Sequence, residues 1–197
     1  VHCVNATCPN VIRIQELVSK AEQEGRQVII IGEPHHPEVV GEASWCAHPL
    51  IFQGPEELTQ WLEGADFDVS VPVTVVAQTT CIRELFETSC KILKKQCTNV
   101  KIFDTICYAT RKRQTEAADI AAKVDVMVVV GDRKSANTQH LAEICRQNCS
   151  RVLQIEGADE LSAADFAGCA LAGLTAGAST PAGIIKEVKT TMSEEIK

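Results

Sequence analysis

The chain has 197 residues and a mass of 21.4 kDa, enough for one sizeable core or two small ones. Its formal charge of −7 argues against a nucleic-acid or anionic-membrane surface, and no apolar run reaches transmembrane length. Ten cysteines without a CxxC pair argue against a zinc ribbon or a disulfide-stapled domain and point to a reducing cytosol, with most thiols buried as small hydrophobes.

In chain order, 1–6 reads as a short strand and Thr7-Cys8-Pro9 as a turn, with Pro9 at the first position of a helix over 10–24. Val11, Ile14, Leu17, Val18 and Ala21 recur there at helical spacing, and Gly25 stops the run. A buried strand over 28–31 leads into Gly32-Glu33-Pro34-His35-His36-Pro37-Glu38, where two prolines predict a loop rather than a helix. Residues 39–54 read as irregular apart from a short strand at 50–52. A helix over 55–64, a strand over 73–77, a helix over 82–95 and a strand over 100–103 follow.

The alternation then continues. Helices are expected over 113–124, 138–147 and 182–192, and strands over 126–130, 151–155 and 168–174. Such βα alternation predicts parallel sheets with helices on both faces. We expect two α/β domains, 1–99 and 100–197, each with three layers and a mainly parallel sheet. The last five residues read as a charged tail.

Ligands of parallel α/β domains sit beyond the C-terminal ends of the strands. The residues at those turns are Cys8, His36 and Glu38, Gln78 and Thr79, Cys107, Ser135 and Asn137, and Ser179. Singly they are weak signals: a serine before a helix is most often a cap, and a lone cysteine is more often buried than reactive. Their recurrence at successive strand ends is the informative feature. Cys107 lies at a strand-to-helix turn, where outward backbone N–H groups favour a thiolate and hence a soft-metal ligand. Cys81, Cys90, Cys97, Cys145, Cys149 and Cys169 take the bland reading of buried thiols, while Cys3 and Cys46 stay undecided.

Five motifs occur in order: Asn-Ala-Thr-Cys-Pro (5–9), His-His-Pro-Glu-Val (35–39), Gln-Thr-Thr (78–80), Asp-Thr-Ile-Cys-Tyr-Ala-Thr (104–110) and Thr-Ala-Gly-Ala-Ser-Thr-Pro (175–181). With them the chain closely resembles the IspH (LytB) family of 4-hydroxy-3-methylbut-2-enyl diphosphate reductases over almost its whole length. The resemblance implies the second and third domains of a three-domain fold around a [4Fe–4S] cluster. It implies Cys8 and Cys107 as two cluster ligands, Glu38 as the proton-relay acid with Thr79 beside the substrate hydroxyl, and His36, Ser135, Asn137 and Ser179 on the diphosphate. It further implies a cytoplasmic enzyme, an electron donor such as ferredoxin or flavodoxin, and isopentenyl and dimethylallyl diphosphate as products.

Two departures from the family pattern are visible. The family's first domain, with the third cluster cysteine, has no counterpart in this sequence, so we expect Val1 not to be the native start and the chain alone to be inactive. The family's Ser-Ser-Asn is Ser135-Ala136-Asn137, and the lost hydroxyl is expected to weaken substrate binding by about 1 kcal/mol. Two rival readings are a non-catalytic diphosphate-binding module and a metal sensor built on Cys145 and Cys149.

Overall fold

The computed structural model describes residues 4–64 and 68–196. The chain divides into two compact units, Val1–Cys107 and Tyr108–Lys197. The division falls after Cys107 rather than near Asn99. The reason is that the strand at Val100–Ile102 hydrogen-bonds to the strand at Val73–Ala77 and so belongs to the first sheet.

The first unit holds helices α1 (Pro9–Gln23), α2 (Pro37–Ala43), α3 (Pro55–Gly64) and α4 (Arg83–Gln96). Its strands are β1 (Gln27–Ile31), β2 (Leu50–Phe52), β3 (Val73–Ala77) and β4 (Val100–Ile102). All strand pairs are parallel, in the order β2-β1-β3-β4. Alternating β1 residues feed two cores. Ile29 and Ile31 join Phe52, Leu58, Phe86 and Leu93 under α3 and α4. Val28 and Ile30 join Ile14, Val18 and Val39 under α1 and α2. The period-2 alternation of side chains is what produces a sheet covered on both faces, and with it the expected three layers.

The second unit holds α5 (Tyr108–Ala121), α6 (Ala136–Asn148) and α7 (Ala182–Glu195), with strands β5 (Val126–Val130), β6 (Val152–Ile155) and β7 (Ala172–Ala176) in the order β6-β5-β7, again all parallel. Met127 and Val129 pack with α5 and α6, and Val126, Val128 and Val130 pack with α7.

In each sheet the strand order reverses beside the first strand of the unit. Successive connections leave β1 towards β2 on one side and return to β3 on the other; β5, β6 and β7 repeat the pattern. The crevices outside the C-terminal ends of the β1/β3 and β5/β7 pairs are therefore where a ligand of such a sheet is expected.

Several local expectations are corrected. Residues 4–8 form no strand, and 1–3, which include Cys3, lie outside the described residues. The predicted loop and irregular stretch after β1 contain α2. Pro37 does not prevent the helix because it occupies the first helical position, where its missing N–H is no loss. The last strand begins at Ala172 rather than Gly168. Gly168 has φ +69 and Cys169 lies in the preceding turn, so neither is in the strand.

Candidate functional site

The loop after β4 is fastened to the end of β3. Thr105 is buried, and its Oγ1 accepts from the Ala77 N–H at 2.8 Å and donates to the Ala77 carbonyl at 2.6 Å. Two residues on, the Cys107 N–H donates to the Thr79 carbonyl at 2.9 Å. The hydroxyl of Thr105 thus replaces a strand's backbone pairing, and the chain runs on until Cys107 stands beside Thr79. The Cys107 sulfur, half-buried, accepts from Asn10 Nδ2 at 3.5 Å. Asn10 lies in the first turn of α1, the helix opened by Cys8, so Cys107 rests against that turn. Cys8 itself is exposed, and its side chain makes no capping hydrogen bond.

Glu38 and Thr79 come from the two sides of the β1/β3 crevice. Glu38 Oε1 accepts from the Thr79 N–H at 2.6 Å, and Oε2 accepts from Thr79 Oγ1 at 2.8 Å. Both carboxyl oxygens are held, so the acid has a fixed orientation. His36 caps α2: its Nδ1 accepts from the Glu38 N–H at 3.2 Å. A neutral imidazole that accepts at Nδ1 carries its proton on Nε2, which leaves a donor available for an anion. The neighbouring Gln78 is fully buried; its Oε1 accepts from the Glu33 N–H at 3.0 Å and so ties the β1 loop to the end of β3.

In the second unit the corresponding crevice carries Ser135, Asn137 and Ser179. Ser135 stands at the N-cap of α6 without a side-chain capping bond, so its hydroxyl is uncommitted. Asn137 is 6% exposed and its Nδ2 has no hydrogen-bond partner; the Thr138 hydroxyl, 1% exposed, has none either. Buried donors are normally satisfied, and two orphaned at the start of a helix suit an oxyanion. Ser179 is exposed in the turn after β7. Gly177 and Gly131 allow this turn and the turn after β5 to close on Thr138. A Cβ at Gly177 would collide with Thr138 Oγ1, and one at Gly131 would come within 2.7 Å of it. Thr138 is a residue that sequence reasoning missed; its place after Asn137 in the first turn of α6 was the available signal.

Glu42 is the other such residue. It lies one helical turn after Glu38, is 0% exposed, and neither of its oxygens meets a hydrogen-bond donor. Burial, then the charge and the proton-sharing contact of the Glu38 carboxyl, push its pKa from 4.5 up to about 9. An acid whose folded pKa is raised binds more protons in the native than in the unfolded state between the two values, so its burial costs stability progressively as pH climbs from about 4.5 to about 9. Relative to a neutral group this cost is about 3 kcal/mol at pH 7. Glu42→Gln is therefore expected to stabilise the chain by about 2 kcal/mol at pH 7, after the cost of burying the amide. The gain should shrink towards zero near pH 5 in urea unfolding followed by circular dichroism. An equal gap at pH 5 and pH 8 would mean that Glu42 does not bind the extra proton.

Five of the six cysteines expected to be buried are so, whereas Cys169, in the loop before β7, is only half-buried. Cys81, Cys90, Cys97, Cys145 and Cys149 are buried. Burial pushes the Cys145 thiol up to about 11, and the Cys149 thiol lies within 3.4–3.7 Å of the carbonyls of Val124, Asp125 and Arg151. Cys46 donates to Glu22 Oε2 at 2.9 Å.

Among the described residues no group of three or more His, Cys, Asp or Glu side chains could hold a metal ion. The donor set nevertheless fits an iron–sulfur cluster in part. Cys8 and Cys107 are soft donors in one unit, each just ahead of a helix, neither is buried, and Cys107 already accepts an N–H bond of the kind that tunes cluster sulfurs. They amount to two of the ligands such a cluster needs. No helix is long and apolar enough to cross a membrane among the described residues.

The geometry has close relatives. The 4-hydroxy-3-methylbut-2-enyl diphosphate reductase of Caldanaerobacter subterraneus subsp. tengcongensis is 37% identical over 188 residues, which cover 95% of this chain and 64% of the relative. The same-named protein of Helicobacter pylori is 38% identical, covering 98% of this chain and 69% of the relative. The solved structure of the E-1-hydroxy-2-methyl-but-2-enyl-4-diphosphate reductase from Plasmodium falciparum superposes with a TM-score of 0.88 at 25% identity, covering 96% of this chain and 59% of that one. The chain spans less than two thirds of the Caldanaerobacter and Plasmodium relatives. A family model described as "LytB protein" matches residues 1–193, and the chain belongs to that family.

Proposed function

We propose that this chain is the part of a 4-hydroxy-3-methylbut-2-enyl diphosphate reductase that carries the proton-delivering acid, two cluster cysteines and much of the diphosphate site. The observation that carries the reading is Glu38, held at both oxygens by Thr79, with Cys107 hydrogen-bonded to that same threonine. Cys8 and Cys107 would hold a [4Fe–4S] cluster, with a third cysteine supplied from outside these residues. When bound, the cluster supplies the two electrons and a Lewis-acidic iron that weakens the allylic C–O bond.

The chain's own residues do the rest. Glu38 delivers a proton to the departing hydroxyl, so that water leaves rather than hydroxide. Thr79 fixes the carboxyl by donating its hydroxyl proton to it, and its oxygen accepts from the substrate hydroxyl. His36, through Nε2–H, and Ser135, Asn137 and Ser179 bind the diphosphate with neutral donors, which suits a chain of net charge −7. The products are isopentenyl and dimethylallyl diphosphate. The electrons come from a ferredoxin- or flavodoxin-type donor in the cytoplasm.

Anaerobic reconstitution of the full-length protein with iron and sulfide tests the proposal. The expected result is a four-iron cluster and formation of both products, with cluster and turnover lost in Cys8→Ser and Cys107→Ser. A cluster that survives both substitutions would overturn the ligand assignment. Diphosphate binding without any cluster or turnover would favour the non-catalytic binding module instead.

A further inference from the structure

Glu42 presents a physical problem that the proposed chemistry does not use. A carboxyl group with no solvent contact and no donor to meet it is costly to bury, and methionine or leucine would fill the same helical position at less cost. It lies four residues after Glu38 on α2, so the two carboxyls share one face of the helix. Two ionised carboxylates at that spacing repel, whereas a neutral acid beside a carboxylate can share its proton. Glu38 is in turn fixed by Thr79 and cannot swing away.

The surroundings leave Glu38 as the partner. α1 packs along α2 and brings Ile14, Val18 and Ala21 to the core that also takes Val39. Just beyond the end of α2 the Cys46 thiol donates to Glu22, and among the described residues the charge that acts on Glu42 is that of Glu38.

We propose that Glu42 is a positioning residue and proton store for Glu38, a neutral carboxylic acid that returns a proton to Glu38 after Glu38 has given one to the substrate. The inference rests on the reading of Glu38 as the proton-delivering acid. In the transfer the O–H bond of Glu42 breaks as one forms on Glu38, leaving Glu42 as the carboxylate. Glu42 regains a proton from solvent by the reverse path through Glu38, so the pair takes up one proton from water for each one delivered. A store of this kind suits a site whose reaction consumes protons.

Two measurements test this. On the 197-residue chain, infrared spectroscopy is expected to show a protonated-carboxyl C=O band at neutral pH. The band should be absent in Glu42→Gln and should titrate at lower pH in Glu38→Gln, because the neighbouring charge has gone. A band that persists in Glu42→Gln, or whose midpoint ignores Glu38→Gln, overturns the proposal. In the full-length, cluster-loaded protein, Glu42→Gln is expected to lower kcat by about tenfold with KM unchanged and to alter the alkaline limb of the kcat–pH profile; this is the scale of effect seen for outer residues that tune a reacting group. Glu42→Asp should restore part of the loss. Wild-type kcat and an unchanged profile in Glu42→Gln would overturn the role of Glu42 alone. Wild-type kcat in Glu38→Gln would instead overturn the proposed reading of Glu38, so the two failures are told apart.

Discussion

Glu38→Gln, in the full-length protein loaded with its cluster, is expected to lower kcat by about 10²–10⁴-fold while KM changes little, the range usual for loss of a positioned general acid. The amide keeps the size of the side chain and one acceptor oxygen. The bond from the Thr79 N–H at 2.6 Å can therefore persist, while the contact at 2.8 Å with Thr79 Oγ1 can reverse direction. Geometry is preserved and the transferable proton is lost, which isolates the chemical role. Thr79→Val should have a smaller effect of the same kind, because it frees one carboxyl oxygen without removing the acid. Steady-state kinetics with product analysis makes the measurement. A Gln variant with unchanged kcat would show that the proton reaches the leaving group by another route.

Arg26→Met is expected to destabilise the first unit by about 3 kcal/mol, the largest stability loss we expect away from the site. Arg26 is buried just ahead of β1. Its Nε donates to Thr74 Oγ1 at 2.8 Å, and its Nη2 donates to the Val73 carbonyl at 2.5 Å and to the Asn99 carbonyl at 3.2 Å. Nη1 reaches Asn99 Oδ1 at 3.3 Å. One planar guanidinium thus clamps the entries of β1, β3 and β4, the three strands whose far ends carry the Glu38, Thr79 and Cys107 loops. Methionine fills the volume but takes the guanidinium's donors away from the buried Thr74 hydroxyl and the Val73 carbonyl. Arg26→Lys should recover little, because an ammonium lacks the flat fork that serves several acceptors at once. Urea unfolding followed by circular dichroism reads the loss, and a midpoint equal to wild type would show that the clamp contributes nothing net.

Much of this molecule was open to reading from sequence because its signals are local. The runs Val73–Ala77, apolar but for Thr74, and Val126–Val130, apolar throughout, are five residues long and buried throughout, as in a strand covered on both faces. The helix from Pro9 announces itself by its proline and by the spacing of Ile14, Val18 and Ala21. Cys8, Glu38, Thr79, Cys107, Ser135, Asn137 and Ser179 were legible as candidates because each stands in a loop or in the first turn of a helix at a strand's end, within motifs that resemble those of one family.

What only the tertiary structure decided depends on partners distant in sequence. Pro37 punctuates a loop or opens a helix according to where the next turn packs, and here α2 packs on α1. The strand at Val100–Ile102 belongs to the first sheet because β3 offers it an edge, a pairing that no local pattern encodes. Thr105 looks like a turn residue, yet its hydroxyl satisfies both backbone groups of Ala77 and so sets the position of Cys107. Glu42 stands in a stretch that reads from sequence as irregular. Burial first, and the Glu38 carboxyl second, favour its neutral form, because the free energy of a carboxylate is set by the water and charges that the fold places around it.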